Sequence, residues 1–412
     1  MSRPRILYLA HQFPHEKTFG GQLRTLQVGR LLQQCGDVSL VVVPLLGEVD
    51  GGALSKTQAE FRVEAVLEFK PWPIRGIGAR LRHELDAWCL NTYGKALTND
   101  SVSRIRELVA AHDLVWFQGM VIPNGTRISQ WPRAVLDIND VYSQYCLTAM
   151  RWERSIVERV LAFRRLWMWR RREATLLKRF GILGVCSEAD RKYLGSSDRI
   201  HVIPNGFERP AFKPRRKADP PRIGFIGVVR YPPNLDGINW FIDDIWPKIK
   251  DEYPDVRLRL VGSGTESEQV RKGRDIDGLG WVDDAAAEIA TWSLMVVPVR
   301  IGAGTRIKIA EGFGRKCPVV STGLGAFGYD VTSGREILLA DREEEFARAC
   351  SSILRDPAKA ERMAECAWEK YLKNWAWDAI GPRVAAAVEH GLRLPASGSA
   401  ALAETAARAC SG

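Results

Sequence analysis

Cross-linking and metal-binding patterns are scarce in this 412-residue chain. Its eight cysteines are scattered without a C-x-x-C pair, and several, such as Cys186 and Cys317, sit in apolar runs. That usage reads as buried free thiols in a reducing cytoplasm, not as a disulfide framework or a zinc site. No window of about 18 uninterrupted apolar residues occurs, so no helix is expected to span a membrane. The first apolar run, Ile6 to Ala10, is too short for a signal peptide and reads as a strand. The full G-x-G-x-x-G spacing is missing from the first strand-to-helix loop, which gives a dinucleotide cofactor little support. No helix-turn-helix, zinc-finger or RNP-like pattern marks a nucleic-acid reader.

What is present is a chain 46% hydrophobic, enough for two or three domains with ample core. The net charge of +10 is uneven: residues 1–214 hold 31 Lys and Arg against 21 Asp and Glu, and the remainder balances at 28 against 28. The first half therefore carries the whole excess. A basic surface of this kind can meet nucleic acid, anionic lipid or an anionic substrate, and composition does not choose among them.

Short β-rich apolar runs recur between helical stretches. They are ILYLA (6–10), VSLVVV (38–43), DLVWF (113–117), AVLDI (134–138), ILGVCS (182–187), IHVIP (200–204), IGFIGVV (223–229), VRLRLV (256–261), LMVVPV (294–299), PVVST (318–322) and EILLA (336–340). Continuous apolar strands alternating with helices predict parallel sheets covered on both faces, and eleven are too many for one open sheet. The fold class is therefore α/β, with two Rossmann-like, doubly wound domains. The Pro- and charge-rich stretch at 206–221 reads as the boundary between them. The Ala/Ser-biased stretch from about 396 reads as a frayed tail.

Residues 151–180 stand apart, with ten basic residues against three acidic ones and with Trp152, Trp167 and Trp169. Ile156, Val160, Phe163 and Trp167 recur at helical spacing and share one face. Two readings stand: a surface helix with an arginine-rich wet side, or a helix that binds a membrane surface or a polyanion.

Three segments carry chemistry. In PVRIGAGTRIKIAEGFGRKCPVVST (298–322) a strand ends at Val299, a loop holds Gly302, Ala303 and Gly304, and a helix is expected from Thr305. Free N–H groups at such a helix start form an anion site, aided by the helix dipole. Thr305, Lys308 and Glu311 follow at intervals of three on one face. Lysine would neutralise phosphate, and glutamate would accept hydrogen bonds from ribose hydroxyls. In IGFIGVVRYPPNLDGINW (223–240), Arg230 lies just past a strand's carboxyl end, where open α/β sheets bind ligands. Gly227 permits close backbone approach, and Asn234 can cap the next helix. In the first strand-to-helix loop, Gly20 and Gly21 precede a helix from about Gln22 and let backbone approach a ligand. His11 follows the first strand directly, and Arg24 lies in the helix's first turn.

The segment G-x-G-T-R-x-K-x-x-E followed by K-C-P-V-V-S-T, the G-V-V-R-Y-P-P-N-x-D segment, V-I-P-N-G at 202–206 and the Gly-Gly loop, in this order, resemble the GT-B-fold glycosyltransferases of family 4 (glycosyl transferases group 1). The resemblance covers roughly residues 5–375, is strongest over 200–325, and looks closest to bacterial members that build polysaccharide or lipid-linked glycans. It implies two Rossmann-like domains facing a cleft: an acceptor-side domain over 1–208, a linker over 209–221 and a donor-binding domain over 222–375. A terminal helix over 376–395 would return to the first domain, ahead of a flexible tail over 396–412. It implies that Arg230 and Lys308 bind the donor diphosphate as the catalytic pair. Gly304 and Thr305 would add backbone amides, Glu311 would hold the ribose, and Gly20 and Gly21 would lie near the donor phosphates. His11, Arg24 and Gln118 fall on the acceptor side. Two positions depart from the pattern: Ala303 replaces a glutamate that would touch the donor sugar, and Gln118 stands where some members have histidine.

These readings converge on a retaining sugar transferase, hexosyltransferase in type, that uses a nucleotide-diphosphate sugar as co-substrate and needs no cofactor or metal. The acceptor would be a glycan, a lipid-linked molecule or a small molecule. The expected location is the cytoplasm, with residues 151–180 offering a contact to the inner face of an anionic membrane. Departure of a nucleoside diphosphate develops negative charge that arginine, lysine and helix amides can stabilise. The D-x-D at Asp275 and Asp277 is read as two carboxylates in a polar loop, not a metal site. The alternatives are an epimerase or phosphorylase on the same fold, or a non-enzymatic polyanion binder.

Overall fold

The computed structural model describes residues 2–395, apart from 15–19, 46–50, 72–73, 89–94, 127, 129, 153–154, 211–214 and 217. The expected tail over 396–412 and part of the expected linker thus lie outside the described residues. The chain forms two compact units. One comprises Met1–Ser143, Val160–Ile203 and Gly381–Gly412; the other comprises Gln144–Arg159 and Pro204–Ile380. The terminal helix Trp377–Arg393 contributes residues to both.

The first unit is built on a seven-stranded sheet. Its strands are β1 (Arg5–Ala10), β2 (Asp37–Val42), β3 (Arg62–Val66), β6 (Leu114–Gln118), β7 (Trp131–Ile138), β8 (Phe180–Val185) and β9 (Ile200–Val202), with a separate antiparallel pair, β4 (Phe69–Pro71) and β5 (Lys95–Leu97). The sheet order is β3-β2-β1-β6-β7-β8-β9, and every pairing is parallel. From Ile6 to Ala10, β1 is wholly buried, as expected for a central strand covered on both faces. The order reverses direction between β1 and β6, so the loops after these strands open onto a switch point, where ligands of such sheets bind.

The second unit repeats the plan with β10 (Arg222–Ile226), β11 (Arg257–Val261), β12 (Ile276–Gly278), β13 (Leu294–Val297), β14 (Val319–Ser321) and β15 (Leu338–Leu339). Their order is β12-β11-β10-β13-β14-β15, all parallel. The switch point lies between β10 and β13. Two apolar clusters hold this sheet, one around Phe225, Phe241 and Phe346 and the other around Trp292, Phe313 and Tyr371.

Each of the eleven apolar runs forms a strand. Strands β3, β4, β5 and β12 are not among the expected runs: β3, β4 and β12 are half-exposed or exposed, and β5 is only three residues long, so they lack the continuous apolar signature. Three local expectations are corrected. The helix expected from Thr305 begins at Ile307, because residues 302–306 are held as a loop by bonds described below. The helix expected from Gln22 begins at Gly20. Asn234 does not cap its helix, which begins at Pro232; its side chain is buried and turned toward the end of β10.

The basic stretch divides into helices Tyr142–Trp152, Ile156–Glu173 and Leu176–Arg179. Within the first unit, Val160, Phe163 and Trp167 are exposed, so the stripe faces outward. The Ile77–Leu85 helix of the same unit exposes Ile77, Leu81 and Leu85, and its Glu84 pairs with Arg164. The arginines are not uniformly wet: Arg172 is fully buried and donates to His83 O, while Trp169 stacks on Tyr142 at 4.5 Å.

Candidate functional site

In the second unit, the segments that leave β10 and β13 meet around Lys308. Gly227 follows β10, and its N–H donates to Val261 O. A Cβ at this position would stand 2.8 Å from Lys308 Nζ and 2.9 Å from Asn234 Nδ2, so only glycine leaves both in place. Asn234 Nδ2 donates to Val228 O and its Oδ1 accepts from Lys308 Nζ, both at 2.9 Å. The ammonium also lies 4.3 Å from the centre of the Phe225 ring. Burial, reinforced by nearby Arg306 and opposed by Glu311, lowers the Lys308 pKa to about 7. The amine is thus poised between charged and neutral near physiological pH.

The loop after β13 is tied at several points. Arg300 forks onto Asp236 with bonds of 3.1 and 2.8 Å. Gly302 (φ 135°) and Gly304 (φ 69°) adopt backbone that side chains disfavour. Thr148, on the Tyr142–Trp152 helix and in the same unit, donates to Gly302 O at 2.8 Å and accepts from Gly302 N–H at 3.1 Å. Asn205 of the V-I-P-N-G segment donates to Thr305 Oγ1 at 2.9 Å. Arg306 is buried and donates through Nη1 to the carbonyls of Ala303 and Gly304.

The sequence-predicted donor residues are distributed as follows. Lys308, Gly304 and Thr305 lie within this loop and helix start. Glu311 lies one turn further along and accepts from Arg315 Nε at 3.0 Å, an i,i+4 pair. Arg230 is exposed and makes no hydrogen bond or ion pair among the described residues. Tyr231, beside it, is also exposed. The charge left without a carboxylate partner here is positive.

Of the D-x-D pair, Asp275 lies in the turn before β12, as expected, but Asp277 lies on the strand itself. Asp277 is on β12 and bonds Arg257 and Arg259, while Asp275 pairs with Lys250 at 2.8 Å. Hydrogen bonds from these partners hold both carboxyls below their ordinary range. They serve the edge of the sheet through cation pairs.

In the first unit, His11 and Gln118 meet at the β1/β6 switch point, with His11 Nδ1 2.8 Å from Gln118 O. Burial lowers the His11 pKa, partly offset by that carbonyl, which favours the neutral ring at pH 7. The Gln118 side chain is fully buried and donates to Asn139 Oδ1 at 3.0 Å. Arg24 is only 1% exposed, and its guanidinium forks onto Asp137 at 2.6 and 3.2 Å and donates to Ile203 O at 2.9 Å. Arg24 and Gln118 are therefore both buried and bonded within the first unit. Gly20 and Gly21 open the helix Gly20–Cys35.

Sequence reasoning missed Arg306, Thr148 and Asp137 and gave Asn205 no role. Arg306 and Asn205 sit inside quoted motifs and could have been found there. Thr148 and Asp137 lie in a helix and a strand that carry no motif.

Residues 220–356 match the family described as glycosyl transferases group 1. A phosphatidyl-myo-inositol mannosyltransferase from Mycolicibacterium smegmatis is 27% identical over 227 residues, 51% of this chain and 58% of that protein. The chain spans from 34% to 58% of the length of the curated relatives it matches. Among solved structures, sucrose-phosphate synthase from Thermosynechococcus elongatus aligns over 92% of this chain and 97% of its own, with a TM-score of 0.62 and 16% identity. Anabaena Alr3699/HepE in complex with UDP-glucose aligns over 94% and 99%, with a TM-score of 0.59 and 15% identity.

Proposed function

From residues 220–356, which carry a glycosyl transferases group 1 domain, we propose that the protein moves a sugar from a nucleotide-diphosphate donor to an acceptor. The observation that carries this reading is the cluster around Lys308: a lysine with no carboxylate bonded to its Nζ among the described residues, held against the backbone of Gly227 at the sheet's switch point, with exposed Arg230 on the loop leaving β10. Such a site suits a diphosphate. The relative crystallised with UDP-glucose supports the donor class.

The proposed chemistry has the anomeric carbon–oxygen bond break as the nucleoside diphosphate departs. Lys308, Arg230 and the amides of Gly304 and Thr305 receive the developing charge, which preorganised dipoles and cations stabilise without reorganisation. Glu311 holds the ribose. No metal is assigned to this step, because the cations of the site supply the positive charge it needs. The acceptor hydroxyl attacks the anomeric carbon from the same face through an oxocarbenium-like state and passes its proton to the departing phosphate oxygen, so the anomeric configuration is retained. The family resemblance supports that stereochemistry.

We assign the acceptor to the first unit, near His11. The outward stripe of Val160, Phe163 and Trp167, flanked by Arg164, Arg165, Arg170 and Arg171, favours a lipid-linked acceptor met at an anionic membrane surface inside the cell.

A donor screen tests the central reading. The full chain is incubated with UDP-, GDP-, ADP- and dTDP-sugars, and donor turnover and binding are recorded. Selective turnover of one donor is expected, with the product's anomeric configuration read by NMR. Failure to bind any nucleotide sugar would overturn the proposal.

A further inference from the structure

Among the described residues, no carboxylate pairs with the charge of Arg306. Its residue surface is 8% exposed. Nη1 is bonded to two backbone carbonyls, but Nε and Nη2 are buried without a hydrogen-bond partner. The nearest acidic side chain of the helix that follows, Glu311, is engaged by Arg315. Position 303, three residues earlier, is alanine and supplies no counter-charge. Buried polar groups are normally satisfied, and a buried cation without a partner is the costliest exception.

The unpartnered side of the guanidinium has a definite place. A Cβ at Gly302 would stand 2.7 Å from Arg306 Nη2 and 3.7 Å from the Tyr231 hydroxyl. The missing side chain of Gly302 thus leaves a spot bordered by Nη2 and a phenolic hydroxyl, between the loops that leave β10 and β13. Thr148 fixes Gly302 by bonding both its N–H and its carbonyl, so the spot is preformed. Lys308 feels the Arg306 charge, which places both cations in one field.

We infer that Arg306 is a donor-binding residue that takes an oxyanion of the nucleotide sugar beside Lys308. The inference rests on the sugar-transfer reading above. A guanidinium edge with two free donors matches a phosphate or a carboxylate bidentately. The oxyanion can come from the diphosphate or from a carboxylate on an acidic donor sugar, and the chemistry recognised is the same.

Calorimetric titration of the full-length wild type, Arg306→Gln and Arg306→Lys separates the cases. The ligands are the nucleoside, its diphosphate, a neutral-sugar donor and a uronate-sugar donor, all with the base the wild type prefers. Ratios between ligands within one preparation cancel any unfolded fraction. In Arg306→Gln, the preference for diphosphate over nucleoside is expected to fall by about tenfold or more, with Arg306→Lys intermediate. A fall confined to the uronate donor assigns Arg306 to the sugar carboxylate and equally supports the inference. Ratios within about twofold of wild type for every ligand pair overturn it and leave the donor reading intact. A wild type that binds none of the phosphorylated ligands overturns both.

Discussion

Lys308 Nζ fills the space in which a side chain at Gly227 would begin. The 2.8 Å separation from the Cβ position means that a methyl group there must push the ammonium away, and the ammonium is the end of a flexible chain that can move. Gly227→Ala should therefore spare the fold and impair the site. We expect thermal stability to change little while donor affinity falls by about tenfold, read by calorimetry beside a melting curve. Equal loss of stability and affinity would show that the glycine serves packing alone.

The lysine's pKa gives a second expectation. Burial lowers it from the ordinary lysine value to about 7, and a bound dianion would raise it again. Donor affinity should be highest below pH 7 and should decline as pH rises through about 7, with proton uptake on binding at pH 8. Because the charged form is disfavoured in the folded state, stability should move the opposite way, increasing as pH rises from about 7 toward the unfolded lysine value. Titration in buffers of different ionisation enthalpy measures the uptake. Lys308→Arg, which stays charged, should flatten the profile. A pH-independent wild type would remove Lys308 from the phosphate contact.

Arg230→Ala and Lys308→Ala should each lower turnover by about two orders of magnitude, since each removes a charge-assisted contact of about 2–4 kcal/mol in the transition state. Arg230 is exposed and unbonded, so its loss should leave stability within about 0.5 kcal/mol of wild type. Activity should persist in excess EDTA, because Asp275 and Asp277 are engaged by lysine and arginine at the sheet edge. Restoration of a lost activity by Mg²⁺ or Mn²⁺ would reverse that assignment.

Arg24 and Asp137 form a buried pair, so removing one partner leaves an uncompensated charge. Arg24→Met should cost about 3–5 kcal/mol, whereas Arg24→Met with Asp137→Leu should recover much of it. Chemical denaturation of the three proteins reads the difference. Equal losses in the single and double variants would deny the coupling.

The α/β plan was legible because central strands are continuous apolar runs, as in β1 and β13. The edge strands were not, since β12 is half-exposed and carries the Asp277 that charge reading alone places in a loop. Lys308 and Arg230 were legible by their places after strands. Thr148 was not: it sits far from Gly302 in sequence, and only the tertiary fold brings its hydroxyl to that backbone. The stripe on the Ile156–Glu173 helix was read correctly as one face, but its direction depends on neighbours, and Arg172 on the same helix turned inward.

That stripe supports the last prediction. Val160, Phe163 and Trp167 are exposed, as are Ile77, Leu81 and Leu85 of the helix whose Glu84 pairs with Arg164, and exposed apolar surface of this kind marks an interaction face. Arg171 lies 4.5 Å from the Trp167 ring centre, so charge and indole are presented together, as the headgroup region favours. Each such arginine near an anionic surface contributes about 1 kcal/mol. The protein should sediment with anionic vesicles at low salt, release at high salt, and ignore neutral vesicles. Arg170→Gln with Arg171→Gln should weaken binding by about tenfold to thirtyfold, and Trp167→Ala with Phe163→Ala should weaken it at any salt. Arg172 is left unchanged, because it is buried and its replacement would damage the fold. Failure of the wild type to sediment with anionic vesicles at low salt would exclude the membrane role and return the stripe to a contact with another macromolecule.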